Sequence, residues 1–306
     1  MEGLSYLSKI NNHERDACIS FDEVPHIYTI NVNDTINVND TINVNDTINV
    51  NDTINVNDTI NVNDTINVND TINVNDTIKG DSNYMSVTTW NHSHFEHFDA
   101  DAIIKKMMSS KKWPENKYYG MSVEEIKAAW EKNRDEAASA GTKMHYDIEC
   151  YYNKINVNNN SIEFNYFLKF VEDFPNLKPY RTEWMIWHED LRLAGSIDMV
   201  YEKEDGTLMI YDWKRSKEIK KTTPWVKYSH TECISHLPDT NYWHYSLQLN
   251  TYKAILEEKY NKKVSDLYLV CLYPENVNYK LIKVPDLSNE IKELFKLRKK
   301  QLCLTT

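Results

Sequence analysis

Apolar and polar positions alternate along this chain in two rhythms. Between residues 180 and 214 the rhythm is that of strands. YRTEWMIWH, RLAGSIDMVYE and GTLMIYDWK alternate, or run apolar for about one strand length, which predicts three consecutive strands. DLYLVCLYP and NYKLIKV predict two more. Elsewhere the period is helical. FDADAIIKKMMSSKKW predicts a helical region. SVEEIKAAWEKNRDEAASA opens on a capping box, Ser122 and Glu125, and predicts an amphipathic helix that Gly141 breaks. Thr142 can cap a new helix, KMHYDIECYYN, which puts His145 and Glu149 on one face. IEFNYFLKFVEDF, NYWHYSLQLNTYKAILEEKY and the C-terminal segment predict three further helices. This order of elements predicts an α/β fold, a mixed central β-sheet flanked by helices on both faces.

One segment obeys neither rhythm. Residues 30–77 are INVNDT repeated eight times without change. FDEVPHIYTI before the array and KGDSNYMSVTTW after it both read as strand, with a Gly-Asp turn signal between them. With the repeats spliced out, they predict an N-terminal β-hairpin that carries the array at its tip. Long insertions cost little there, because closure entropy grows only logarithmically with length. The array has no glycine and two apolar residues in six. It is expected to be disordered or loosely β, with an ordered solenoid or long hairpin as the alternative. Residues 1–29 and 78–306 then form one domain, and 30–77 is an insertion without catalytic role.

Composition changes this picture little. At 41% hydrophobic and 12% aromatic, the 306 residues can bury a substantial core. No run of 18 apolar residues predicts a membrane span, and the N-terminus lacks the basic start and apolar stretch of a signal peptide. The five cysteines are scattered, with no CxxC pair, which argues against a zinc site and a disulfide framework. These features predict an intracellular protein that is not secreted. The net charge of -11 is unevenly placed, since the repeat array alone holds eight Asp and no Lys or Arg. The remainder is close to neutral, so a locally basic cleft stays open.

The candidate chemistry lies in GSIDMVYEKEDGTLMIYDWKRSK, residues 195–217. Strand alternation puts Asp212 and Lys214 on one face, with Trp213 opposite. A turn at EDG lets the two strands pair and brings Asp198 beside Asp212. Facing carboxylates repel, and burial makes that worse. A divalent cation between them relieves the repulsion, and hard oxygen ligands favour Mg2+ or Mn2+. Lys214 is then placed to orient a water or to stabilise developing negative charge. This set suits metal-assisted phosphodiester hydrolysis.

GSIDMV followed by MIYDWKRS resembles two motifs of the PD-(D/E)XK nuclease superfamily, in its RecB-type exonuclease branch. GTKMHYDIE upstream and QLNTY downstream resemble that branch's Gly-Thr-x-x-His and Gln-x-x-x-Tyr motifs, in the same order, and the likeness covers roughly residues 140–275. The overall layout also resembles nuclease-like proteins of large DNA viruses. The resemblance implies a restriction-endonuclease-like core and a Mg2+-dependent deoxyribonuclease. By it, Asp198, Asp212 and Lys214 are catalytic. His145, Asp198, Asp212 and the backbone carbonyl of Trp213 hold the metal. Gln248 and Tyr252 support the site or the DNA near it, and Glu183 and Glu149 are accessory acids. Asp212 stands where much of the superfamily has Glu, although Asp is common in this branch. The cysteines that hold an iron–sulfur cluster in some relatives are missing, so no such cluster is expected.

The basic run KRSKEIKK and Lys227 follow the metal site, and Arg215, Lys217, Lys220, Lys221 and Lys227 are expected to track a phosphate backbone. Trp225, Tyr228, Tyr242, Trp243 and Tyr245 are placed to stack on unpaired bases. The expected partner is DNA with single-stranded or free ends, met in viral DNA replication, recombination or repair, in the host cytoplasm or virus factory. Two other readings remain open. One is a non-catalytic nuclease-fold DNA-binding or scaffold protein. The other is a structural protein built around the repeats.

Overall fold

The structure, a computed structural model, describes residues 5–22, 27–31, 83–223 and 227–304. All but the first two residues of the INVNDT array lie outside that set, as does Trp225. The described residues fall into two compact units. One contains residues 14–22, 27–31 and 83–84, and the other contains 5–13, 85–223 and 227–304.

In the smaller unit, β1 (Ile19–Asp22) and β2 (Ile27–Ile30) form an antiparallel hairpin. The strand before the array therefore pairs with the residues preceding it, and the segment after the array goes elsewhere. Met85–Ser86, β3, pairs in parallel with Leu193–Ala194 of the main sheet. After the short N-terminal helix α1 (Tyr6–Ile10), the next helix is α2 (Val87–His92), which begins with the VTTW expected to be strand. Ser86 caps that helix, its Oγ accepting the Thr89 N–H at 3.0 Å. A good N-cap contributes about 1 kcal/mol, which outweighs the small helix penalty of the β-branched residues.

The larger unit is built on six strands. The four longest are β4 (Lys178–His188), β5 (Leu193–Glu202), β6 (Leu208–Lys214) and β7 (Val264–Cys271). The short β8 (Lys280–Lys283) and β3 complete the sheet. The path is β3-β5-β6-β7-β8, with β4 also paired to β5. The pairs β4–β5, β5–β6 and β7–β8 are antiparallel, and β3–β5 and β6–β7 are parallel. A parallel neighbour needs a crossover, and α6 (Asn241–Lys259) supplies it between β6 and β7.

Helix α3 (Ala100–Met108) leads to α4, which runs unbroken from Val123 to Tyr152. The capping box at Ser122 and Glu125 is present. The break expected at Gly141 is not, and Thr142 lies inside the helix. A mid-helix glycine costs only about 1 kcal/mol relative to alanine, too little to end a helix fixed by packing at both ends. Gly141 also faces open space, with no atom within 4 Å of a would-be Cβ.

Helices cover both faces of the sheet. Met144 and Ile148 of α4, with Phe164, Phe167 and Phe170 of α5 (Ile162–Asp173), pack on Met199, Tyr201, Tyr211 and Trp213. Because Tyr211 and Trp213 face that core, Asp212 and Lys214 face the opposite side, where α6 lies. The C-terminal helix α7 (Ser288–Leu304) packs on α6. Among the described residues no helix is long and apolar enough to cross a membrane.

Candidate active site

Strands β5 and β6 pair only at their turn end, from Glu202↔Leu208 to Met199↔Tyr211. Gly206, at φ +79°, closes the turn between them. β4 occupies the other edge of β5 along its length, so β3 and β6 share the remaining edge and leave residues 195–198 between them. In that opening Asp198 replaces a ladder bond: its Oδ2 accepts the Trp213 N–H at 2.9 Å. The one-residue step from Tyr211 to Asp212 then carries both carboxylates to the sheet face opposite Trp213.

Helix α4 brings His145 to this opening. Met144 and Ile148 bury their side chains in the core, which turns the neighbouring position toward β4 and β5. His145 Nδ1 lies 3.5 Å from Asp198 Oδ2 and 3.7 Å from Glu183 Oε1. Ligand atoms of His145, Glu183 and Asp198 all lie within 4.8 Å of one another. Glu183 sits opposite Asp198 in the β4–β5 register, between Thr182↔Met199 and Trp184↔Ile197. Its φ is +41°, a left-handed conformation costing a non-glycine residue of order 1–3 kcal/mol inside a strand. That twist accompanies its carboxylate's place beside His145. Ser196 fixes the other oxygen, donating to Glu183 Oε2 at 3.0 Å.

Asp212 is buried, with only 2% of its surface exposed. Lys214 Nζ is 2.5 Å from its Oδ2, a close ion pair. The Lys214 ammonium also lies 4.7 Å from the ring centroid of Tyr245 on α6. Burial and then Asp198 push the Asp212 carboxyl up to about 7, against the pull of Lys214. Burial raises Asp198 too, opposed by His145 and Lys214. On His145 burial acts downward, yet Asp198 and Glu183 outweigh it and lift the imidazole to about 9. Burial likewise acts downward on Lys214, while Asp212 and Asp198 hold it above its ordinary value.

These charges fit a divalent cation. Two carboxyls are pushed toward protonation, and a proton on His145 now balances Glu183 and Asp198. His145, Glu183 and Asp198 supply one nitrogen and two carboxylates at coordinating spacing, with Asp212 as a further oxygen donor.

The other expected residues are placed as follows. Glu149, one helical turn after His145, is half-buried; burial and then Glu183 raise its carboxyl to about 7. Gln248 Nε2 donates to Tyr252 Oη and to Thr88 Oγ1, each at 3.1 Å. Tyr252 packs where Gly195 has no side chain: a Cβ there would come within 2.7 Å of the ring. Arg215 is paired with Glu163 at 2.7 Å, Lys217 with Glu275 at 2.6 Å and Lys220 with Glu218 at 3.1 Å. Lys227 is paired with Glu96, and the Lys221 ammonium lies over the Tyr242 ring. Trp243 donates its Nε1–H to Lys221 O. Ser196 was not among the expected residues, although its place two before Asp198 puts both on one strand face. Nothing in the sequence signals the twisted backbone of Glu183.

The description of the PD-(D/E)XK nuclease superfamily matches residues 92–302, and the chain belongs to that superfamily. The protein is thus of nuclease type, with nucleic acid as its substrate and divalent metal as the family's usual cofactor. No curated protein sequence matches the chain. Among solved structures, SSO0001 is similar at 13% identity and a TM-score of 0.31, over 72% of this chain and 77% of that one. A candidate exonuclease from Eubacterium rectale is similar at 12% identity and a TM-score of 0.33, over 72% and 79%. Likenesses of that size add nothing to the family assignment.

Proposed function

We propose that the protein is a Mg2+- or Mn2+-dependent deoxyribonuclease of the RecB-type branch, acting at DNA ends. The observation that carries this reading is the buried Asp212–Lys214 pair beside the His145–Glu183–Asp198 cluster. His145, Glu183, Asp198 and Asp212 would hold the cation. When bound, the cation supplies the charge that polarises a phosphate and acidifies a water. Lys214 is an ammonium, so it donates hydrogen bonds and offers positive charge to the phosphate instead of removing a proton. Tyr245 and Asp212 fix that ammonium in direction. Asp198, tied to the Trp213 N–H, holds the two strands at the spacing the site requires. The motifs GTKMH and QLNTY support the branch, and a role in viral DNA replication, recombination or repair follows from the resemblance to nuclease-like proteins of large DNA viruses.

Cleavage of end-labelled linear DNA and of closed circles, with Mg2+, Mn2+ or EDTA, tests the reading. The expected result is metal-dependent loss of the linear DNA with circles spared. Cutting of circles would replace end-dependent action by endonuclease action. Absence of cleavage together with absence of Mn2+ binding would favour a non-catalytic nuclease-fold protein.

A further inference from the structure

The basic run after the metal site was the expected path for DNA, yet Arg215, Lys217, Lys220 and Lys227 each face a carboxylate. Such pairs contribute little stability, but they cancel the local positive field. Lys221 is the exception, its ammonium lying over the Tyr242 ring. A second group of cations without facing carboxylates lies elsewhere. Residues 105–119, KKMMSSKKWPENKYY, hold five lysines and one glutamate. Lys105, Lys106, Lys111, Lys112 and Lys117 are all exposed. Among the described residues, none of their ammonium groups has an ion-pair partner. In a chain of net charge -11, this run carries a local excess of four positive charges.

Aromatic rings are interleaved with these lysines. Tyr119 is 59% exposed and lies against half-buried Trp113, ring centroids 5.9 Å apart. Lys117 sits over the Tyr118 ring, which in turn contacts Trp130 of α4. Phe98, 64% exposed, meets Trp130 from another side. Exposed ammonium groups attract a phosphate backbone, and exposed rings stack on unpaired bases whatever their sequence. A duplex keeps its bases stacked inside and offers such rings nothing.

We propose that the surface of residues 105–119 is an anchoring site for single-stranded DNA, separate from the cleavage centre. It rests on the reading of the substrate as DNA. Its distance from the centre is set by α4. The Lys127–Asp101 pair, at 2.5 Å, joins the first turns of α4 to α3. From Trp130 to His145 the helix advances about 22 Å at its rise of 1.5 Å per residue. A strand held at one end of α4 is therefore presented to the other at a fixed offset.

The test is fluorescence anisotropy of a labelled oligothymidylate of about 20 nucleotides, bound by the full chain in EDTA. Because no cleavage is read, failure of the nuclease reading leaves this result interpretable. Replacing Lys105, Lys106, Lys111 and Lys112 by Glu is expected to weaken binding at least about ten-fold and to flatten its salt dependence by about 0.7 per lysine. Trp113→Ala with Tyr119→Ala is expected to weaken it at least about five-fold. Should the four-lysine variant fail to fold, Lys111→Gln with Lys112→Gln gives a smaller loss of the same sign. Unchanged affinity in the lysine variants would overturn the proposal. So would tighter binding of duplex, or of an oligoribonucleotide of the same length, than of the single-stranded DNA.

Discussion

At the scale of single residues, the site is defined by an excess of buried negative charge. His145 carries a proton where a cation fits, because Asp198 and Glu183 hold its pKa at about 9 against burial. A metal must displace that proton to reach the imidazole nitrogen, so binding is coupled to pH. Mn2+ affinity is expected to rise with pH up to about 9, with about one proton released per ion near pH 8 and more below about 7, where the Asp212 carboxyl is protonated too. Calorimetry in two buffers of different ionisation heat reads both quantities, and a flat affinity across that range removes His145 from the ligand set. The alternation D-W-K made Asp212 and Lys214 legible in the sequence, and the preceding hairpin made Asp198 so. Glu183 was legible only as an accessory acid. Its place beside His145 depends on a left-handed backbone inside a strand, and residue type gives no warning of that.

At the scale of elements, strands were easy to read and their partners were not. Each strand of the main sheet beyond β3 lies within or beside the stretch its alternation predicts, because half-buried strands display their period directly. VTTW reads as strand until the Ser86 cap is counted, and Gly141 reads as a break until the whole of α4 is packed. The charge partners of Arg215 and Lys217 lie 52 and 58 residues away in sequence, beyond any local pattern. Two predictions belong here. Gly195→Ala forces the Tyr252 ring to move, since no Cβ fits 2.7 Å from it. It should destabilise the fold by about 1–3 kcal/mol in urea denaturation, the usual cost of overpacking. Asp266 of β7 accepts from Lys203 at 2.5 Å and from Lys283 at 2.7 Å, which hold its carboxyl down at about 2. A depressed carboxylate stabilises the fold above its ordinary pKa and loses that contribution as pH falls through the folded value. Asp266→Asn should therefore cost about 1 kcal/mol near neutral pH, and the deficit should shrink as pH falls from 3.8 toward 2.

At the scale of the whole molecule, the α/β architecture follows from the order of elements, and the family match over residues 92–302 agrees with it. The hairpin was legible, but its pairing was not: β2 joins β1, and the residues after the array join the main sheet instead. None of the site residues lies in the INVNDT array. Deleting residues 30–77 should leave metal-dependent cleavage within about two-fold of the intact chain, measured on linear DNA. A loss of cleavage in a folded deletion variant would give the array a part in function.

The central claim is that the buried Asp212–Lys214 pair performs phosphodiester chemistry. It is tested most directly by the single-turnover rate of Mg2+-dependent cleavage of linear DNA, wild type beside Lys214→Ala and Asp212→Asn. The account predicts a loss of about 100-fold or more in each variant, roughly 2.7 kcal/mol of transition-state stabilisation. A folded variant cleaving at the wild-type rate would contradict it.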